Sequence, residues 1–295
     1  MITNEFFEYT IDLPDADISR VGQNLVGFDD RFDRLAKNLV LISDPELLSA
    51  WSREHYRVVA PIVQRTSERY PLAIFVGDVG TGKTAFARCA ANRVTQQLKK
   101  QGTLFALSTR VRGEGRVGEA SSRINAAFTL VSESLGKTKL CFVLIDEADS
   151  LVTTRAEAHA HLEDKVAVNT IVQKVDDLRR HGGRLVVFLA TNRPATLDPA
   201  VIRRAALIEV FERPNAAERE ELLRLDLAEL GLKAETICAI VDMTGPRNGN
   251  PGFTFSDLRT RFLPEILIRA YPTRRVTDDD ALEAAGAVSP SPEAS

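Results

Sequence analysis

The eight residues GDVGTGKT at positions 77–84 constrain this chain more than any other stretch in it. They follow an apolar run, LAIFV at 72–76, and lead into AFARCAANR at 85–93, which suits a helix. Strand, glycine loop and helix in that order form the setting in which a GxxxxGK[ST] segment cradles phosphate. Gly77, Gly80 and Gly82 let the backbone curl and turn its N–H groups inward. Asp78, Val79, Thr81 and Ala85 complete the loop and the first helical turn. The helix N-terminus beyond adds partial positive charge. Lys83 is placed to reach the β- and γ-phosphates of a nucleotide, and the Thr84 hydroxyl to ligate Mg²⁺.

The rest of the chain reads as the scaffold for such a loop. Further short apolar runs lie at 104–107, 140–145, 185–190 and 207–211, separated by helical stretches. Continuous apolar runs alternating with amphipathic helices predict an α/β fold with a parallel sheet covered on both faces, five strands in all. Before the loop, apolar spacing predicts a helix from about residue 26 to 41 and a second from Glu46 to about Val59, with Pro45 at its first turn. After Arg213 the character changes. Helices are predicted over 216–230, 234–243, 256–270 and 278–285, so a small helical subdomain spans 213–285 beside a large one at 26–212. Residues 1–25 are polar and mixed and are expected to be partly extended or weakly ordered. The Ala/Ser/Pro-rich stretch 286–295 is expected to be disordered.

Bulk properties narrow the class. With 38 Lys+Arg against 41 Asp+Glu, the net charge of −3 gives no basic field to attract nucleic acid. Three cysteines scattered without CxxC spacing suggest reduced thiols, neither a disulfide framework nor a zinc site. The N-terminus lacks the basic start and apolar run of a signal peptide, and no apolar stretch approaches the ~20 residues of a membrane span. A cytoplasmic protein without membrane contact is expected.

Three groups of residues could carry chemistry with the loop. The run at 140–145 ends in Asp146-Glu147, two carboxylates at the tip of a buried strand. Asp146 would hold Mg²⁺, and Glu147 would orient and deprotonate the attacking water. The run at 185–190 ends in Ala190-Thr191-Asn192, whose amide could bond the γ-phosphate or that water. Arg203 and Arg204 precede the last strand, where they could reach a neighbouring subunit's nucleotide as arginine fingers.

Together GDVGTGKT, FVLIDEADSL, LATNRPATLDPAVIRR and the helical C-terminal part resemble the AAA+ ATPases over about residues 26–285. The resemblance implies a ring, usually a hexamer, that couples ATP hydrolysis to pulling on a protein through a central pore. It assigns Walker A to 77–84, Walker B to Asp146 and Glu147, sensor 1 to Asn192 and arginine fingers to Arg203 and Arg204. It also extends the nucleotide contacts to Val26 and Gly27. Arg116-Val117-Gly118-Glu119 resembles the grip of pore loop 1, with Arg where the family has an aromatic. That exchange favours an acidic or hydrogen-bonding client segment. The stretch 156–164, with His159 and His161, falls where pore loop 2 would lie. The segment GFTFSDLR at 252–259 resembles the start of the sensor 2 helix, but Ser256 stands nearest the usual arginine, leaving Arg259 or Arg261 as the candidate.

Finer similarity, in EDKVAVNTIVQKVDDLRRH at 163–181 and LRTRFLP at 258–264, is to the pachytene-checkpoint/thyroid-receptor-interactor branch. That branch remodels HORMA-domain proteins. Its bacterial relatives in CBASS anti-phage operons act on a HORMA protein bound to a cGAS-like nucleotidyltransferase. The alternatives are a general AAA+ unfoldase, a DNA-stimulated ATPase such as a helicase loader or transposition regulator, and a nucleotide-switched scaffold.

Overall fold

The computed structural model describes residues 5–108, 111, 119–148, 162–247 and 249–293, the side chains of 162–166 excepted. The chain divides into two compact units. One runs to Val76 and from Thr84 to Val210; the other comprises Gly77–Lys83 and the chain from Phe211 onward. The phosphate loop is thus grouped with the helical C-terminal part.

The first unit is built on β1 (Phe7–Leu13), α1 (Ala16–Gln23), α2 (Phe28–Ser43), α3 (Glu46–Tyr56), α4 (Pro61–Ser67), β2 (Leu72–Gly77), α5 (Lys83–Leu98) and β3 (Gly102–Leu107). It continues through α6 (Glu119–Glu133), β4 (Leu140–Ile145), α7 (Leu162–Leu178), β5 (Leu185–Thr191), α8 (Pro199–Ile202) and β6 (Leu207–Phe211). The strands form one sheet in the order β1-β3-β4-β5-β2-β6. Strands β3, β4, β5 and β2 pair in parallel.

The central strands are apolar at every position because both sheet faces are covered. On one face Val143, Ile145, Val187 and Leu189 meet α6 and α7, whose buried Ala120, Ile124, Ala127, Phe128 and Val131 recur at helical spacing. The other face carries an aromatic chain. Phe142 lies 5.5 Å from Phe188, Phe188 5.5 Å from Phe75, Phe75 5.5 Å from Phe86 and Phe86 5.4 Å from Phe28. Burying each such side chain contributes about 2–3 kcal/mol.

The sheet has six strands among the described residues, where five parallel ones were expected. The sixth is β1, which pairs antiparallel with β3 and closes that edge. Of the two expectations for residues 1–25, partly extended or weakly ordered, the described part shows extended backbone at 7–13. FEYTIDL at 7–13 alternates, with Phe7 and Leu13 buried and Glu8 and Asp12 outward. Phe7, Tyr9, Ile11 and Leu13 alternate with Glu8, Thr10 and Asp12, the period-two signal of a half-buried strand. Next, α1 is capped by the Asp15 carboxylate, which accepts from the Ile18 N–H at 2.8 Å.

The second unit holds α9 (Ala216–Asp226), α10 (Ala234–Met243), α11 (Leu263–Ala270) and α12 (Asp278–Ala287). A wider π-helical turn over Asp257–Phe262 precedes α11, where Pro264 withdraws one N–H donor. Reciprocal capping boxes start α9 (Asn215 with Glu218) and α12 (Thr277 with Asp280). Alanines 281, 284 and 285 of α12 are buried, which lets α12 approach α10 closely. The C-terminal stretch expected to be disordered is held through residue 293. Ser291 donates from its N–H and hydroxyl to the buried Asp257 carboxylate, at 3.1 and 2.5 Å. Among the described residues no helix is long and apolar enough to cross a membrane.

Candidate nucleotide-binding site

The loop that follows β2 has a backbone only glycine adopts freely. Gly77, Gly80 and Gly82 have φ of 148°, 80° and 95°. A Cβ on Gly77 would stand 2.0 Å from the Phe211 carbonyl oxygen, and one on Gly80 2.7 Å from both Ser256 Cβ and Thr254 Oγ1. Gly77→Ala is expected to destabilise the second unit by about 3 kcal/mol and to abolish nucleotide binding, since neither strain nor clash can relax without moving the loop. Thermal unfolding and titration with a fluorescent ADP analogue check this; an unchanged Tm would refute it.

Lys83, 8% exposed, donates from Nζ to the carbonyls of Gly77 (2.8 Å) and Asp78 (2.7 Å). The Thr81 hydroxyl donates to Asp78 O at 2.8 Å. The Asp78 carboxylate accepts from Arg213 Nε at 2.7 Å. Arg213 spans further: Nη1 donates to Gly252 O (2.7 Å) and Ser291 O (2.9 Å), and Nη2 to Pro292 O (3.0 Å). The Ser256 N–H donates to Gly80 O at 3.1 Å.

Within the first unit, β4 and β5 are parallel neighbours, so their carboxyl ends present Asp146 and Asn192 at the same sheet edge. The Thr84 hydroxyl donates to Asp146 Oδ2 at 2.6 Å, which brings the two expected Mg²⁺ ligands together. Glu147 lies just past β4, exposed, with φ of 47°. A left-handed backbone at a non-glycine residue is strained, and such strain gathers at functional sites. Its N–H donates to Asp146 Oδ1 at 3.0 Å, closing the turn. Asn192 is half-buried, and its Oδ1 is fully buried with no hydrogen-bond partner among the described residues. An orphaned buried acceptor of this kind fits a site made for a ligand or a reacting water.

The two arginines at the end of α8 differ. Arg204 grips Asp176 through Nε and through Nη2 (2.9 Å), donates to Ala200 O and lies 5.6 Å from the Tyr70 ring centroid. Arg203 is exposed and has no such bond among the described residues.

Other expected site residues are placed as follows. Arg259, the candidate sensor 2, is bound to Asp226 through Nε (2.7 Å) and Nη2 (3.2 Å), and Arg261 to Asp257 at 3.1 Å. The residue at that place in contact with the loop is Ser256. Gly27, with φ of 68°, caps the N-terminus of α2 after the half-buried Val26, and Ala85 sits in the first turn of α5. Arg116, Val117 and Gly118, and the 156–161 part of the second pore-loop stretch, lie outside the described residues. Burial pushes the Cys89 and Cys141 thiols up to about 11, so neither is a nucleophile at neutral pH.

Arg213, which pairs with Asp78 in the loop, was not singled out by motif reading. Its signal was Asp78: a carboxylate inside a loop meant for phosphate needs a cation beside it.

Residues 73–213 match the family described as "ATPase family associated with various cellular activities (AAA)". CD-NTase-associated protein 6 of Escherichia coli (strain KTE188) is 42% identical over 293 residues, 99% of this chain and 98% of that protein. A chain of the solved E. coli MS115-1 HORMA:CdnC:Trip13 complex superposes with a TM-score of 0.92 at 37% identity, covering 99% of this chain and 98% of that one. The Rhizobiales Trip13 structure gives 0.74 at 33%, with 97% and 99% covered. The family match over residues 73–213 and the likeness along nearly the whole chain place this protein in the AAA ATPase family, among the CD-NTase-associated protein 6 relatives.

Proposed function

We propose that this ATPase is the remodeller of a HORMA-domain protein, acting on that client while it is bound to a CD-NTase, a cGAS-like nucleotidyltransferase, and so regulating CBASS anti-phage defence in the bacterial cytoplasm. The observation that carries the reading is likeness over nearly the whole chain to a chain of the HORMA:CdnC:Trip13 complex.

The residues support ATP hydrolysis as the driving reaction. The loop amides of 77–82 and the Lys83 ammonium bind the β- and γ-phosphates. Thr84 and Asp146, already joined by a 2.6 Å hydrogen bond, are the residues that would hold Mg²⁺. When bound, that ion neutralises charge developing on the phosphate oxygens. Glu147 takes the proton of the attacking water, and the orphaned Asn192 Oδ1 accepts a hydrogen bond from it. In a hexameric ring Arg203 reaches the neighbouring subunit's nucleotide, while Arg204 anchors α8 to α7 through Asp176. Arg116, Val117 and Gly118 grip an acidic or hydrogen-bonding client segment.

Steady-state ATPase is measured with a HORMA-domain protein, with that protein bound to its nucleotidyltransferase, and with single- or double-stranded DNA. Severalfold stimulation by the HORMA protein, lost in client remodelling but not in basal hydrolysis on Arg116→Ala, is the expected result. Stimulation by DNA alone would leave the ATPase standing and overturn the client.

A further inference from the structure

Within the second unit the phosphate loop is held at two of its residues, and both holds lead to one residue near the C-terminus. The first runs through Arg213. Its fork binds one anion, Asp78 of the loop, and three neutral carbonyls, two of which belong to Ser291 and Pro292. The guanidinium side chain is only 12% exposed. Without those carbonyls its donors would be left without partners in a partly desolvated place. The second hold runs through Asp257, whose side chain is 2% exposed. Asp257 accepts from Ser291 twice, from Arg261 at 3.1 Å and from the Thr254 N–H at 3.0 Å, and its own N–H donates to Thr254 Oγ1. Burial by itself would push the Asp257 carboxyl up; bonds from Ser291 and Thr254 outweigh it and hold the carboxyl below its ordinary value. Thr254 and Ser256 in turn abut Gly80, with the Ser256 N–H on the Gly80 carbonyl.

The geometry points to residues 288–293 as a strap that sets nucleotide affinity, with Arg213 as the positioning residue through which the strap acts on Asp78. The electrostatics give the direction. A carboxylate in the loop opposes bound phosphate unless a cation neutralises it and turns it aside. Arg213 does this in one orientation, and the Ser291 and Pro292 carbonyls fix that orientation by occupying the far side of its planar fork. Removing the strap frees the guanidinium to swing, leaves Asp78 facing the phosphates and loosens the support under Gly80. Nucleotide binding weakens as a result.

The proposal rests on the phosphate-loop reading, and its test separates the two. A fluorescent ADP analogue is titrated against the full chain, a variant lacking residues 289–295, Ser291→Ala, Arg213→Lys and Arg213→Lys carrying the deletion. The deletion is expected to weaken binding about tenfold, the scale of one lost charge-assisted hydrogen bond, and Ser291→Ala by less. Arg213→Lys keeps a charge beside Asp78 but has no fork for the strap to orient, so the deletion in that background should weaken binding clearly less than it does in the wild type. Thermal unfolding is followed in parallel, and ATPase KM and kcat are read separately; the loss should fall on KM. A deletion variant with lowered Tm but unchanged affinity would make residues 288–293 structural only and overturn the proposal, as would equal deletion effects in the wild-type and Arg213→Lys backgrounds. Failure of the full chain itself to bind the analogue would overturn the nucleotide reading instead.

Discussion

Glu147→Gln is expected to leave ATP bound and to lower kcat by about 10²- to 10⁴-fold, the range spanned by loss of a general base. The amide is nearly isosteric with the carboxylate and removes only the capacity to take a proton. The strained turn at Glu147, its N–H bond to Asp146 Oδ1 and the Thr84–Asp146 pair do not depend on the Glu147 side chain and should persist. Binding of the fluorescent nucleotide should therefore change little while turnover collapses, and the ATP-loaded protein should accumulate as an assembled ring by size. Single-turnover hydrolysis separates chemistry from product release. A variant that hydrolyses within a few-fold of wild type would remove Glu147 from the reaction and shift the base to another group.

Arg203→Ala should lower kcat by about 10³-fold or more, as expected of an arginine finger, with nucleotide affinity nearly unchanged. Arg204→Ala should behave differently. Its guanidinium is already committed to Asp176, which raises its pKa above the ordinary arginine value chiefly through that hydrogen bond. The pair is partly exposed, so its loss is expected to destabilise the first unit by about 1 kcal/mol after allowance for solvent screening. A lower Tm and a modest change in kcat are the expected signature. Mixing supplies the test in trans. An Arg203→Ala subunit keeps Glu147, and a Glu147→Gln subunit keeps Arg203. Rings formed from both contain some complete sites and should regain part of the activity that each lacks alone. No recovery on mixing would show that Arg203 acts within its own subunit or not at all.

The parts legible in the chain were those written by local rules. GDVGTGKT needs left-handed φ values that glycine supplies, so the loop was readable from spacing alone. The central strands were readable because burial on both faces demands unbroken apolar runs, and α10 because its buried residues recur at helical spacing from Ala234 to Met243. Strand β1 was read only as partly extended because its alternation is short and its partner β3 lies some ninety residues away in the chain. A propensity-based reading of the Ser/Pro-rich stretch after residue 286 likewise had no access to Asp257, which holds Ser291 across 34 positions.

The sequence alone therefore carried the expected chemistry: a phosphate loop, a carboxylate pair at one strand tip and an amide at another. Each is a contiguous motif whose residue types carry their own physical requirement. Only the tertiary structure decided which of two arginines is committed to an ion pair. Arg203 and Arg204 are adjacent in the chain and alike in kind, yet Asp176 claims the second of them. It alone also showed what neutralises Asp78, because the partner of a charged side chain depends on which distant segment folding brings within about 3 Å, and Arg213 lies 135 residues further along the chain.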